Sequence, residues 1–394
     1  MRTQKIVSTK NKITRTISTL LAASFAFVIL AAVATPPTDD PEKPNGFKEE
    51  AFATGLDSPW GMAFLPDGRL LVTEKVGNLR IVDTEGNVSD PLSGVPEVCQ
   101  CGQGGLLDVQ LHPDYEQNGW LYLAYAEKRL DKDDKPIGWT AIARARLDGM
   151  TLVNHEAIYS APVETFTGRP HHFGSRIVFD EDGYLYFSIG DRGVMDEAQL
   201  LSQPNGKIHR LHDDGRIPTD NPFFNVLHAV PSIWSFGHRN PQGVAVHPED
   251  GTIWDVEHGP KGGDELNLVE KGMNYGWPVI TYGINYNGDI ISDLTEKEGM
   301  EQPAHYWVPS IATCGMDFYD GDAFPEWKNS LFVTSLKFGK IHRIEVEGGK
   351  RSHEEVFYET GGRPRDVETG PDGYLYIAIE DAPGRIVRLV PDNG

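Results

Sequence analysis

The chain has 394 residues, with 58 acidic against 36 basic side chains and a formal charge of −22. So acidic a protein is a poor partner for nucleic acid or anionic membranes, and any convergence of Arg and Lys in it stands out. Its 42 Gly and 27 Pro fit many short strands joined by turns, and an all-β domain can reach this length as one unit.

The N-terminus reads as a processing signal. Residues 2–15 are basic and lack acids, residues 17–31 are apolar or small, and Ala32-Val33-Ala34 is a small-residue cleavage site. This is the pattern of an export signal over residues 1–34. The apolar run is short for a spanning helix, with an uncleaved anchor as the alternative. The polar, Pro-rich TPPTDDPEKPN stretch belongs to a flexible leader, residues 35–50. Residues 51–394 then form the mature domain, periplasmic or secreted, with no membrane insertion after cleavage. Export permits disulfides, and Cys99, Cys101 and Cys314 read as one disulfide plus a buried thiol. The C-x-C spacing lacks the second pair that a zinc site needs.

A degenerate repeat follows, in six units beginning at Ser58, Gly104, His171, Asn240, Cys314 and Arg363. Each is a short alternating strand, a Pro-Asp-Gly type turn, and a second strand rich in Leu, Tyr, Val and Ile. SPWGMAFLPDGRLLVTE and RPRDVETGPDGYLYIAIE show it most clearly. Asp-Gly supplies the positive φ of a tight reversal. No long amphipathic helical pattern appears, so the fold class expected is all-β: a six-bladed β-propeller of four-stranded antiparallel blades.

The repeat sets a phase. His172 lies eight positions before Asp180, Asn240 eight before Pro248 and Arg363 eight before Pro371, so these side chains are expected at one height near the channel mouth. Gln103 is close to this phase but not on it, and Lys337 falls on a different strand that the phase does not place. A lone His is usually structural, but one at this phase is a natural general base. His171 is read as its orienting neighbour. Arg239, Lys337, Arg363 and Arg365 lie at strand ends; as scattered surface ion pairs they would matter little, whereas converging they would hold a small polyanion. The stretch from Trp234 to Pro278 joins Arg239, Asn240 and Gln242 to a Gly259-Pro260 turn among carboxylates. That turn is either a solvated acidic loop or a backbone-carbonyl seat for Ca2+. There is no P-loop, dinucleotide fingerprint, G-x-S-x-G elbow or zinc-protease helix.

Seven motifs in order carry a resemblance: GQGGLLD (102–108), HHFGSR (171–176), GHRNPQG (237–243), EHGPKGGDELN (257–267), NYGWP (274–278), SLKFG (335–339) and RPRDV (363–367). The chain resembles the soluble PQQ-dependent glucose/sorbosone dehydrogenases, most of all the periplasmic aldose sugar dehydrogenase branch. The resemblance implies pyrroloquinoline quinone (PQQ) and Ca2+ at the mouth, and oxidation of an aldose at C1 to a lactone. It implies His172 as the base that takes the anomeric proton, with Arg239 steadying charge on the quinone. Asn240, Gln242, Lys337, Arg363 and Arg365 would bind the cofactor and Gln103 the sugar. Gly259 and Pro260 would offer carbonyls to Ca2+, and Asp264, Glu265 and Tyr275 partly match a second calcium site. The electron acceptor is not identified. In the glucose-specific relatives a Trp directly precedes a Pro near the cofactor; here Val308 does, with Trp307 one position away. The competing readings are a metal-dependent lactonase, which would need a carboxylate-rich central metal site, and a non-catalytic propeller that binds carbohydrate or protein.

Overall fold

The computed structural model describes residues 46–162 and 168–392; the export signal read over residues 1–34 lies outside them. Strand β1 (Phe47–Leu56) is followed by a first blade of β2 (Pro59–Phe64), β3 (Leu70–Glu74) and β4 (Asn78–Val82). The second blade is β5 (Leu106–Leu111), β6 (Trp120–Leu130), β7 (Pro136–Asp148) and β8 (Thr151–Ser160). The third is β9 (Ile177–Phe179), β10 (Leu185–Ile189), β11 (Lys207–Leu211) and β12 (Ile233–Phe236). The fourth is β13 (Pro241–Val246), β14 (Ile253–Glu257), β15 (Asp264–Val269) and β16 (His305–Trp307). The fifth is β17 (Thr313–Phe318), β18 (Leu331–Ser335), β19 (Lys340–Glu347) and β20 (Lys350–Glu359). The sixth is β21 (Arg363–Thr369), β22 (Leu375–Glu380) and β23 (Gly384–Pro391), completed by β1.

The molecule is therefore a six-bladed β-propeller whose sheets are antiparallel throughout. Five blades have four strands; the first has three, with only an isolated Val82–Val88 bridge beyond β4. The Asp-Gly turns behave as their chemistry requires: Gly68, Gly183 and Gly373 all have φ between +76° and +86°. Apolar side chains alternating along the strands fuse neighbouring blades. Leu71 and Leu79 of the first pack with Leu106, Leu121 and Leu123 of the second. Phe332 and Phe357 of the fifth pack with Leu375 and Val387 of the sixth.

The ring is closed by β1 lying antiparallel on β23, from Phe47 against Pro391 to Leu56 against Gly384. Residues 47–50, read from composition as part of a flexible leader, belong instead to this strand. Residues 47–50 are polar but are held by strand pairing, and Phe47 packs in the cluster of the last two blades. Cys99 and Cys101 form a disulfide and Cys314 is a buried thiol. Among the described residues no helix is long and apolar enough to cross a membrane.

One buried ion cluster ties the innermost strands together. Arg176, just before β9, places Nη1 2.9 Å from Asp108 Oδ1 on β5 and 2.9 Å from Asp366 Oδ1 on β21. Its Nε donates to the Gln242 carbonyl of β13 at 3.1 Å, and its guanidinium lies 4.6 Å from the Trp60 ring of β2. Asp366 Oδ2 accepts the Met62 N–H of β2 at 2.9 Å. Glycine is needed where inner strands come this close: a Cβ on Gly315 would lie 2.5 Å from Asp366 Oδ1.

The closing strand has a checkable weight. Deleting residues 1–56 removes the β1–β23 ladder and the buried Ala53 and Leu56. Losing a buried Leu alone costs about 2–5 kcal/mol. The truncated protein is expected to lose cooperative thermal unfolding or to melt at least about 5 °C lower, read by circular dichroism. A melting curve like that of a chain cut only after residue 45 would refute this closure.

Candidate active site

Antiparallel pairing brings the start of each inner strand beside the end of the next, and the mouth is built from both. Arg363 opposes Glu380, Pro241 opposes Glu257 and Pro59 opposes Glu74. Residues just ahead of the inner strands, such as His172 and Asn240, therefore meet residues that close the second strands: Lys75, Asp191, His258 and Lys337. A cavity of about 160 Å³ there is lined by Lys75, Gln103, Gln242, His258, Arg363 and Arg365 among others.

His172 stands in the left-handed region at φ +55°, uncommon for a non-glycine residue. Its backbone N–H donates to Gln103 Oε1 at 2.7 Å. Its Nδ1 lies 2.5 Å from Asp191 Oδ1, whose carboxylate is fully buried. Asp191 is held in turn by the Gly193 N–H at 2.7 Å and by Trp277 Nε1 at 2.8 Å. The preceding loop is stapled by buried Arg192, which donates to the carbonyls of Arg169, His171 and Gly138 at 2.7–2.8 Å. Gly190 is packed so closely that a Cβ there would lie 2.4 Å from the His172 carbonyl and 2.7 Å from Asn240 Oδ1.

Burial lowers the His172 pKa; the Asp191 hydrogen bond opposes the shift and Arg239 reinforces it. The ring is therefore neutral at pH 7. With Nδ1–H directed at the carboxylate, the lone pair is on Nε2, as a general base requires. His171 has its ring 6.0 Å from that of His172, and its carbonyl is fixed by Arg192.

Arg239 is buried beside this pair. Its Nη1 donates to the His258 carbonyl and, at 2.7 Å, to the Gly259 carbonyl; its backbone N–H donates to Glu257. Its guanidinium lies 5.3 Å from the Trp277 ring. Asn240 joins two loops: Oδ1 accepts the Gly174 N–H at 3.1 Å and its carbonyl accepts the His258 N–H at 3.0 Å. His258 is pushed down to about 3, by burial first and then by Arg239, His172, Arg365 and Arg363. These groups, distant in sequence, thus share one electrostatic environment. Arg365 places Nε 2.8 Å and Nη2 2.6 Å from Glu380 Oε2, the same oxygen that Arg363 Nε meets at 3.2 Å. Lys337 is at the exposed rim, with Nζ 3.2 Å from the Ser310 carbonyl.

The carboxylates after the Gly259-Pro260 turn divide between two faces. Asp264 accepts from the Gly259 N–H at 2.8 Å, from Ser310 Oγ at 2.9 Å and from the Ala312 N–H at 2.6 Å, so it braces the turn. Glu265, next on the strand, points the other way and pairs across β14 with Glu257. There His238, Asp255 and Glu257 bring ligand atoms within 4.8 Å of one another, and the Tyr275 ring stacks on His238 at 4.5 Å. Glu265 and Tyr275 therefore border one buried side-chain cluster, while Asp264 is committed to the turn. Trp307 is turned into its blade, where Nε1 donates to Glu354 at 2.7 Å, so it offers no ring to the mouth.

The repeat phase did not indicate Lys75, Asp191, His258, Trp277 or Glu380. The first three lie one or two residues past second strands and Glu380 ends one, which is the pattern that places Lys337 as well.

Three comparisons bear on this site. The family model for glucose/sorbosone dehydrogenase matches residues 56–388. The aldose sugar dehydrogenase YliI of Escherichia coli is 43% identical over 87% of this chain and 93% of its own. The crystal structure of the soluble E. coli aldose sugar dehydrogenase in its apo-form superposes with a TM-score of 0.82 at 40% identity, over 88% of this chain and 100% of that one. The PQQ-bound aldose sugar dehydrogenase of Streptomyces coelicolor gives 0.71 at 27% identity, over 89% and 100%. The chain is thus an oxidoreductase of the sugar dehydrogenase type, and it belongs to the glucose/sorbosone dehydrogenase family.

Proposed function

We propose that this protein is exported and oxidises aldose sugars at C1 to lactones, with PQQ as oxidant and Ca2+ beside it. The observation that carries the reading is a cationic, incompletely paired cavity in a protein of charge −22. Lys75, Arg363 and Arg365 line it, and Gln242 Oε1 there is buried with no hydrogen-bond partner, as is Arg239 Nε close by. An unpaired buried polar group costs about 1–3 kcal/mol, which a ligand of complementary polarity offsets. A planar tricarboxylate with ring carbonyls fits the cations and the free Arg239 Nε–H, while Gln242 Oε1, an acceptor, would take an N–H or O–H from the ligand.

Asn240, Gln242, Lys337, Arg363 and Arg365 would hold the quinone, and Lys75 joins them from the cavity wall. Gly259 and Pro260 would offer carbonyls to Ca2+; the carbonyls of His258 and Gly259 already converge on the Arg239 cation. A second Ca2+ would sit with Glu265 beside Asp255 and Glu257, where Asp255 Oδ1 and Asn267 Oδ1 lack donors. When bound, the quinone supplies a two-electron acceptor for the C1 hydride and Ca2+ a Lewis acid beside it.

The chain's own residues do the rest. His172 Nε2 takes the proton of the anomeric hydroxyl as the C1–H bond breaks and the C1 carbonyl forms. Asp191 fixes the ring and stabilises the imidazolium. Gln103 spends Oε1 on the His172 N–H, which leaves its amide N–H2 for a sugar hydroxyl. Arg239 sets a buried positive charge where negative charge would develop.

Purified protein mixed with PQQ and Ca2+ should show the quinone absorbance change on adding an aldose; no change with any of several aldoses would refute the reading. His172→Ala should lower turnover at least about 100-fold, with PQQ affinity within about threefold. Arg363→Ala should weaken PQQ binding about tenfold, on the scale of a charge-assisted hydrogen bond, with little change in rate per bound quinone. In the cofactor-free protein the His172 NMR titration should fall below the ordinary 6.5. In Asp191→Asn it should fall further, because the partner that favours the charged ring is gone. A midpoint at or above 6.5 in either protein would contradict the burial argument.

A further inference from the structure

The indole of the NYGWP segment, 274–278, is not among the groups lining the cavity, and no step of the proposed reaction uses it. Yet Trp277 is buried, 5% exposed, and touches both Asp191, the support of His172, and Arg239 itself. We propose that Trp277 is a positioning residue, pinning the carboxylate that orients His172 through one hydrogen bond and bracing Arg239 with its ring. This rests on the reading of His172 as the base.

The geometry makes the case. Asp191 has two oxygens and one of them must face His172. Oδ1 does so at 2.5 Å, and Oδ2 accepts the Trp277 N–H at 2.8 Å. A carboxylate turns easily about its terminal torsion, whose preferences are broad; the Gly193 N–H holds Oδ1 beside His172, and the indole donor on the far oxygen fixes the plane of the group. The indole is itself fixed at both ends of its residue. The backbone N–H of Trp277 donates to the Gly237 carbonyl at 2.8 Å, and its backbone carbonyl accepts from Gln199 Nε2 at 2.8 Å. Gln199 and Asn274 exchange a reciprocal pair at 2.9 Å, and Asn274 Oδ1 also takes the Gly276 N–H at 2.9 Å. The turn leaves no slack: a Cβ on Gly237 would lie 2.2 Å from Asn274 Oδ1. Arg239 is two residues from Gly237 and packs over the same indole at 5.3 Å. One rigid aromatic therefore sets the spacing between the base and the cation.

Trp277→Phe tests this, because it keeps the ring and removes only the donor. Asp191 with one donor fewer is a stronger acceptor and stabilises the imidazolium more. In the cofactor-free variant the His172 NMR midpoint should move upward by a few tenths of a pH unit or more. In the PQQ- and Ca2+-loaded variant the acidic limb of kcat should move upward with it. Turnover should fall about tenfold, with PQQ affinity within about threefold. A variant that melts lower but keeps the parent midpoint, limb and kcat would show a merely structural tryptophan and overturn the proposal. Should the Phe variant not fold, Gln199→Ala releases the turn without touching the indole. It should broaden or shift the His172 resonance and lower kcat; a parent-like resonance and kcat there would also overturn it. If the parent protein oxidised no aldose, the functional reading would fall. The midpoint shift, or its absence, would still decide whether Trp277 acts on Asp191 and His172.

Discussion

The structure depends on one buried cation. Arg176 reaches Asp108, Asp366 and the Gln242 carbonyl and packs beside Trp60, so a single side chain touches the inner strands of the first, second, fourth and sixth blades from a seat beside the third. Removing one partner of a buried ion cluster leaves an uncompensated charge and costs about 3–5 kcal/mol, although replacing a whole cluster with apolar groups can be neutral. Its value here is geometric. Desolvated ions accept few arrangements, and this one fixes how the inner strands are staggered about the axis. The mouth begins where these strands begin, so its residues inherit that stagger.

From that constraint the site follows by short steps. His172 is four residues before Arg176, within one motif. Gln242 passes its carbonyl to Arg176 and leaves its side chain to the cavity. Arg365 is the neighbour of Asp366, so anchoring that carboxylate in the centre carries the arginine to the cavity wall. The placement of the cavity's cations and of its base is thus the same event as the locking of the blades, and a fold that assembles the one has assembled the other.

Much of this was legible in the sequence because the propeller repeats. The Pro-Asp-Gly turns mark the middle of each unit, and counting back from them reaches His172, Asn240 and Arg363. Those residues do share an environment: His172 and Arg363 both bear on His258, and the Asn240 carbonyl accepts its backbone N–H. What stayed hidden has a common cause. Lys75, Asp191 and His258 lie just past the second strands of the first, third and fourth blades, and only the antiparallel ladder brings them back beside the starts of the inner strands. A phase counted in one direction from the turn misses half of the mouth; counted both ways it would have reached them. Trp277 could not be found by any such count, because it sits in a loop between strands and reaches Asp191 through tertiary packing. The first blade's missing strand and the pairing of residues 47–50 were hidden for the same reason. The pairing of residues 47–50 depends on the edge that β23 leaves for β1 to cover, and the first blade's sheet stops at β4.

The pairing of Arg363 and Arg365 shows how an acidic protein keeps a cationic cavity. Both guanidinium groups meet the same oxygen of Glu380, leaving two positive charges against one negative. Full neutralisation would abolish the attraction for an anion, and no counter-charge at all would leave two like charges to repel and two long side chains to wander. One shared oxygen does neither: it holds both side chains near the cavity, so less rotamer freedom remains to be lost when a ligand arrives. Burial of Arg365 then matters more than its charge alone, since a charge-assisted bond strengthens as water is excluded. The neutral imidazole of His258 fits the same logic. Surrounded by Arg239, Arg363 and Arg365, it cannot hold a second proton, so the cavity floor adds no further cation and the net positive charge stays at the strand ends, where a carboxylate would meet it.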